Sequence, residues 1–150
     1  MLLRTHVTFA VFLTLILLFN YPTANLIQII LLVILGAILP DIDTKTSKIG
    51  SKMPMISMLF EHRGFFHSIN FIIFLLIIGF LTNTLLSIIW VCIGVFTHLF
   101  LDALTKKGIK PFLPLSFRIG GIIKTGGFMD KLLFVIFASF SIIFGLIIYS

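Results

Sequence analysis

The sequence predicts an all-α membrane protein. It reads as one integral domain over residues 1–150, a bundle of about five transmembrane helices. The N-terminus is expected in the cytoplasm, with polar loops that could hold a metal on the cytoplasmic face. Three observations carry this reading. Hydrophobic residues make up 59% of the chain and charged residues only 11%, where a soluble domain has about 25% charged. The mean hydropathy is +1.24. The apolar residues fall into five runs, and threading these runs alternately through a membrane leaves every charge on one side. The same composition excludes a disordered chain, because so many apolar side chains cannot remain in water. It also excludes a disulfide scaffold, because Cys92 has no second cysteine to pair with.

The first run covers residues 7–19 and extends to Tyr21 without a charge; Pro22 and Asn25 then mark a turn. Arg4 ahead of an apolar stretch is also how a secretory signal begins. However, Phe19-Asn20-Tyr21-Pro22 lacks the small residues of a cleavage site, so a retained helix is expected. The second run, 26–39, stops at Pro40, which disfavours helix at the residue before it. The third, 65–81, is interrupted only by His67, Ser68 and Asn70. Thr82-Asn83-Thr84 turns the chain into the fourth run, 85–101, and the fifth covers 132–149. A span needs about 20 mostly apolar residues, roughly 17 to 25. The last three runs meet that directly, and the first two only when residues 5–20 and 23–40 are taken whole. Residues 41–64 and 105–131 are long loops rich in Gly, Pro, Ser and Lys, of a length that usually signals function or flexibility.

All eleven basic residues, Arg4 through Lys131, fall on the side of the N-terminus and the two long loops. The positive-inside rule puts that side in the cytoplasm and the C-terminus outside. The net charge of +6 is therefore read as orienting charge set against anionic lipid headgroups. No basic motif is interleaved with aromatics in a way that would argue for nucleic acid, and no phosphate-cradling glycine loop supports a nucleotide site.

The titratable residues share this side. His6 opens the first run, Asp41 and Asp43 follow the second, and His62 and His67 bracket the start of the third. His98 and Asp102 close the fourth, and Asp130 precedes the fifth. His98 and Asp102, four apart on a helix, share a face. Asp41-Ile42-Asp43 after Pro40 is expected to be extended, which would turn both carboxylates to one side. His67, His98 and Asp102 lie in or at the end of apolar runs, where ionisable groups mark functional sites by default. Glu61 can also be read as a loop acid pairing with a nearby lysine, and Asp130 reads equally as an acid at a helix N-terminus. Neither is assigned a role.

Several segments carry a family resemblance. They are Thr5-His6, Leu39-Pro40-Asp41-Ile42-Asp43, His62-Arg63-Gly64-Phe65-Phe66-His67-Ser68, and Thr97-His98-Leu99-Phe100-Leu101-Asp102-Ala103-Leu104-Thr105. In this order they resemble the YdjM family of bacterial and archaeal membrane proteins, described as membrane-bound metal-dependent hydrolases. Lys106 and Lys107 stand where family members often have a proline. The resemblance implies a multi-pass protein of a prokaryotic inner membrane and a hydrolase activity, without naming a substrate.

The candidate metal ligands are His6, Asp41, Asp43, His67, His98 and Asp102. Imidazole with carboxylate suits Zn2+, Mn2+ or Fe2+. Six candidates exceed the four ligands of a tetrahedral zinc, so two ions with a bridging carboxylate are expected, an arrangement suited to in-line displacement at a phosphoester. His62 is the candidate acid or base, and Arg63 the candidate phosphate clamp. A site at headgroup depth points to membrane lipids as partners and to a lipid or lipid-linked phosphoester as substrate. The competing readings are an ion- or proton-coupled transporter and a non-catalytic scaffold whose metal fixes the loops.

Overall fold

The structure, a computed structural model, describes residues 1–19, 25–43 and 64–149. Among these the chain forms five α-helices: α1 Leu3–Leu18, α2 Leu26–Ile38, α3 Ile69–Leu81, α4 Leu85–Ala103 and α5 Phe128–Tyr149. Two 3₁₀ turns, Leu39–Asp43 and Phe65–His67, follow α2 and precede α3. The only extended pairing among the described residues is two isolated bridges, Thr105 with Ile123 and Ile109 with Ile119. Each apolar run thus becomes one helix, and the fold is all-helical.

The helices differ in length. Leu85–Ala103 and Phe128–Ile148 are long and apolar enough to cross a membrane. α1 has 16 residues, and α2 and α3 have 13 each. At 1.5 Å per residue a 13-residue helix extends about 20 Å, against a hydrocarbon core of about 30 Å. The third run is shorter as a helix than as a sequence because it breaks at Ser68. That residue is extended (φ −125°, ψ 161°), and its hydroxyl donates back to the Phe65 carbonyl at 2.7 Å. Such a local bond competes with helix, and it leaves His67 in a turn of its own. α5, by contrast, starts four residues before the apolar run and takes Asp130 into its first turn.

α4 is the central element: it packs against α1, α2 and α3, while α5 packs on α1. The α2–α4 contact is a backbone contact. A Cβ on Gly36 would lie 2.0 Å from the Val91 carbonyl oxygen, and one on Gly94 would lie 2.1 Å from that of Val33. Small residues allow such an approach, as they do where helices pack within lipid. Val33 and Ala37 of α2 and Val95 of α4 are fully buried. The outward faces remain apolar: Leu17, Ile27, Leu31, Ile77, Leu86 and Leu146 are all exposed. Such a surface on every helix exceeds what a water-soluble monomer usually leaves uncovered.

One end of the bundle collects the N-terminal ends of α1, α3 and α5 and the C-terminal ends of α2 and α4. The Leu2 N–H donates to Asp130, the Ala37 carbonyl meets His98, and the Ile69 N–H donates to Pro111 of the second loop at 2.9 Å. That loop, expected to be irregular, is pinned by its own backbone. Ile109 and Ile119 exchange both N–H···O bonds, at 2.8 and 2.9 Å, and Lys106 N–H donates to Ile123 at 2.9 Å.

Candidate metal centre

The cluster is built on the last turns of α4. His98 and Asp102, one helical turn apart, are both buried. The His98 Nδ1 lies 2.7 Å from the Ala37 carbonyl oxygen. A carbonyl oxygen only accepts, so Nδ1 is the donor, and in the neutral ring Nε2 keeps the lone pair. The Ala37 carbonyl is free for this because it lies in the last turn of α2, where carbonyls run out of intrahelical donors. It is near enough because Gly36 and Gly94 let the two backbones touch. A histidine fixed through one nitrogen by a carbonyl is the arrangement that aims the other nitrogen at a metal.

Three other elements bring side chains to this pair. From α1, the His6 ring stacks on His98 with centroids 3.8 Å apart and planes 7° from parallel. Its Nε2 lies 3.4 Å from Asp102 Oδ1. From the second 3₁₀ turn, His67 sets its ring edge-on to His98 at 5.3 Å and its Nε2 at 3.9 Å from Asp102 Oδ2. That turn is closed by the His67 N–H donating to the Gly64 carbonyl at 3.0 Å. From the first 3₁₀ turn, Asp41 Oδ1 lies 3.8 Å from His98 Nε2. Burial pushes the Asp41 carboxyl above its ordinary range, an effect opposed by the neighbouring His6 and His67.

Two sets of donors therefore fall within 4.8 Å: His6, His98 and Asp102, and Asp41, His67 and His98. They share His98, which has a single free lone pair, so they form one cluster of five residues. Asp102 stands between His6 and His67 with one oxygen toward each. The donor set fits a divalent ion. His6 Nδ1 and His98 Nε2 are buried without a hydrogen-bond partner, and buried polar atoms are otherwise almost always satisfied. The Met1 ammonium also pairs with Asp102 Oδ1, so this oxygen already meets positive charge.

The cluster accounts for five of the six residues the sequence singled out as ligands. Asp43 is the exception: its side chain lies outside the described residues. The reason for pairing it with Asp41 does not hold, because Leu39–Asp43 winds as a 3₁₀ turn instead of extending. In such a turn successive residues are a third of a revolution apart, and the alternation of a strand is lost. His62, Arg63 and Glu61 also lie outside the described residues.

Asp130 has a structural place that the sequence did not supply. It is fully buried and accepts from Leu2 N–H at 3.0 Å, Thr5 hydroxyl at 2.7 Å and Gly126 N–H at 2.7 Å. It satisfies donors at the start of α1 and so holds the turn that carries His6. Ala37, Gly36 and Gly94 were missed as well, because their role depends on a helix contact that no local spacing announces.

A family model described as YdjM inner membrane protein matches residues 1–149. An uncharacterized protein from Bacillus subtilis (strain 168), YvsG, is 39% identical over 107 residues. The match covers 65% of this chain and 65% of that relative, so the chain spans just under two thirds of its length. No solved structure matches at a significant level.

Proposed function

The chain belongs to the YdjM family of inner membrane proteins, and from that premise we propose that it is a membrane-bound metal-dependent hydrolase. Its substrate is a phosphoester of a lipid or lipid-linked molecule, cleaved at the cytoplasmic face. The observation that carries this is the cluster of three buried histidines, buried Asp102 and half-buried Asp41 at the polar end of an otherwise apolar bundle. Ionisable groups in such surroundings are costly unless they are paired or bound to a metal.

His6, Asp41, His67, His98 and Asp102 would hold the metal, with Asp43 as a sixth ligand, and Zn2+, Mn2+ or Fe2+ suits these donors. Asp102, which turns one oxygen toward His6 and the other toward His67, would be a ligand common to a set large enough for two ions. A divalent ion bound there supplies Lewis acidity and an activated water. The residues of this chain do the rest. Ala37 holds the His98 ring through Nδ1, Asp130 holds the start of α1, and burial of His6, His67, His98 and Asp102 keeps them from bulk water. His62 is assigned to move a proton at the leaving oxygen, and Arg63 to hold the phosphate through its planar fork. Five membrane spans with the N-terminus inside would set the cluster of His6, Asp41, His67, His98 and Asp102 at the headgroup plane.

Metal content per chain tests the reading directly. Detergent-purified wild type is expected to hold one to two equivalents by plasma mass spectrometry, and the His98→Ala/Asp102→Ala variant less than a tenth of that. Phosphatidic acid and polyprenyl phosphates are then screened for phosphate release. No metal in the wild type after incubation with zinc and manganese would overturn the site. Metal without turnover on any phosphoester would overturn the hydrolase and leave the metal-stabilised scaffold.

A further inference from the structure

A groove of about 780 Å³ opens where α4 ends and α5 begins. Its walls include Leu104, Ile122, Phe128 and Leu132, and Lys106 and Lys124 line it as well. Among the described residues no acidic side chain lines it. The two lysines are brought together by the pinned loop, in which Lys106 N–H donates to the carbonyl of Ile123, next to Lys124. Ile122 is 86% exposed and Phe128 79% exposed, so the apolar lips are uncovered. The groove is also continuous with a longer surface: beyond Leu132, α5 presents exposed Val135, Ile136 and Ile143 along its length. Two cations thus stand at the top of an apolar track that runs down a membrane-length helix.

We infer that this groove binds an anionic phospholipid of the surrounding membrane. Its phosphate sits between Lys106 and Lys124, and its acyl chains follow α5 from Leu132 onward. The charges match, since two ammonium groups face a phosphodiester and no acidic side chain lines the groove among the described residues. The shape matches too: a soluble peptide would gain nothing from a track that continues into lipid, whereas an acyl chain buries along it. The lysine stems add apolar length while their heads stay at the headgroup plane. The site does not rest on the hydrolytic reading and needs no metal.

Native mass spectrometry on the full chain in detergent tests it, with phosphatidylglycerol and phosphatidylcholine of identical acyl chains as competing probes. The wild type is expected to retain phosphatidylglycerol on the order of tenfold in preference. Lys106→Gln/Lys124→Gln should bring the two lipids to parity, while Lys107→Gln/Lys110→Gln, which changes equal charge outside the groove, should keep the preference. Excess inorganic phosphate should not displace the lipid. Equal retention of both lipids by the wild type would overturn the proposal. So would an equal loss in the two double variants, or displacement by phosphate alone, which would mark a plain anion site.

Discussion

The smallest unit that decides the character of the cluster is a single proton. With Nδ1 of His98 committed to the Ala37 carbonyl at 2.7 Å, Nε2, 3.8 Å from Asp41 Oδ1, is the nitrogen left for a metal once it carries no proton. His98→Gln would keep a polar side chain but lose that aimed nitrogen. It should lower metal affinity by at least tenfold, read by competition with a chromophoric chelator, while circular dichroism keeps its helical signal. Asp130 works by hydrogen bonds instead. Asp130→Asn replaces one acceptor oxygen by an NH2 group facing donors already present. That should cost about 1–3 kcal/mol of stability, seen as a lower unfolding temperature in detergent. Thr5→Val, which removes the hydroxyl at 2.7 Å from Asp130, should do less, because two backbone donors remain. Sequence reading reached His98 and Asp102, since ionisable residues at the end of an apolar run stand out on their own. It could not assign Asp130, because its partners Leu2 and Thr5 are more than 120 residues away.

Among the elements, the apolar runs were plainly legible: each became a helix within a few residues of its expected ends, because water-avoiding side chains in an unbroken stretch leave the backbone little alternative. The breaks were less legible. Asp41-Ile42-Asp43 was expected to be extended after Pro40, and it coils as a 3₁₀ turn. Proline restricts the residue before it, but its fixed φ near −65° suits a turn that follows. The 3₁₀ turn at Phe65–His67 was hidden inside an apolar run, because a hydroxyl bonding to its own backbone leaves no hydropathy signal. The α2–α4 seam shows what such contacts control. Gly94→Ala puts a methyl group 2.1 Å from the Val33 carbonyl oxygen, so the helices must separate, at about 1–3 kcal/mol or more. Separation also draws Ala37 away from His98. Gly94→Ala should therefore lower both the unfolding temperature and the metal content. Gly145→Ala on α5, where a Cβ meets nothing within 4 Å, should leave the metal content unchanged and the stability equal or slightly higher.

For the whole molecule, the arrangement of charge is the property that sequence and structure share most fully. The described basic residues, Arg4, Lys106, Lys107, Lys110, Arg118, Lys124 and Lys131, sit at the end that holds the cluster or in the loop attached to it. The opposite end carries the Thr82-Asn83-Thr84 turn and no charge among the described residues. A charge moved across a bilayer core is heavily penalised, so an apolar bundle with one charged end has one favoured orientation. The proposed five spans with the basic end inside would put Lys107 and Thr84 on opposite sides of the membrane. Cys92, buried within α4, can be replaced by alanine to give a background without thiols. On that background, Thr84→Cys is expected to react with a membrane-impermeant maleimide in intact spheroplasts, and Lys107→Cys only after lysis. Both sites are exposed, so failure to label reflects the membrane rather than burial. The short α2 and α3 make this a real test. If one of them fails to cross while α4 does, the two sites exchange sides, so that Lys107→Cys labels in intact spheroplasts and Thr84→Cys only after lysis, and the cluster of His6, Asp41, His67, His98 and Asp102 would then have to be placed against a different membrane surface.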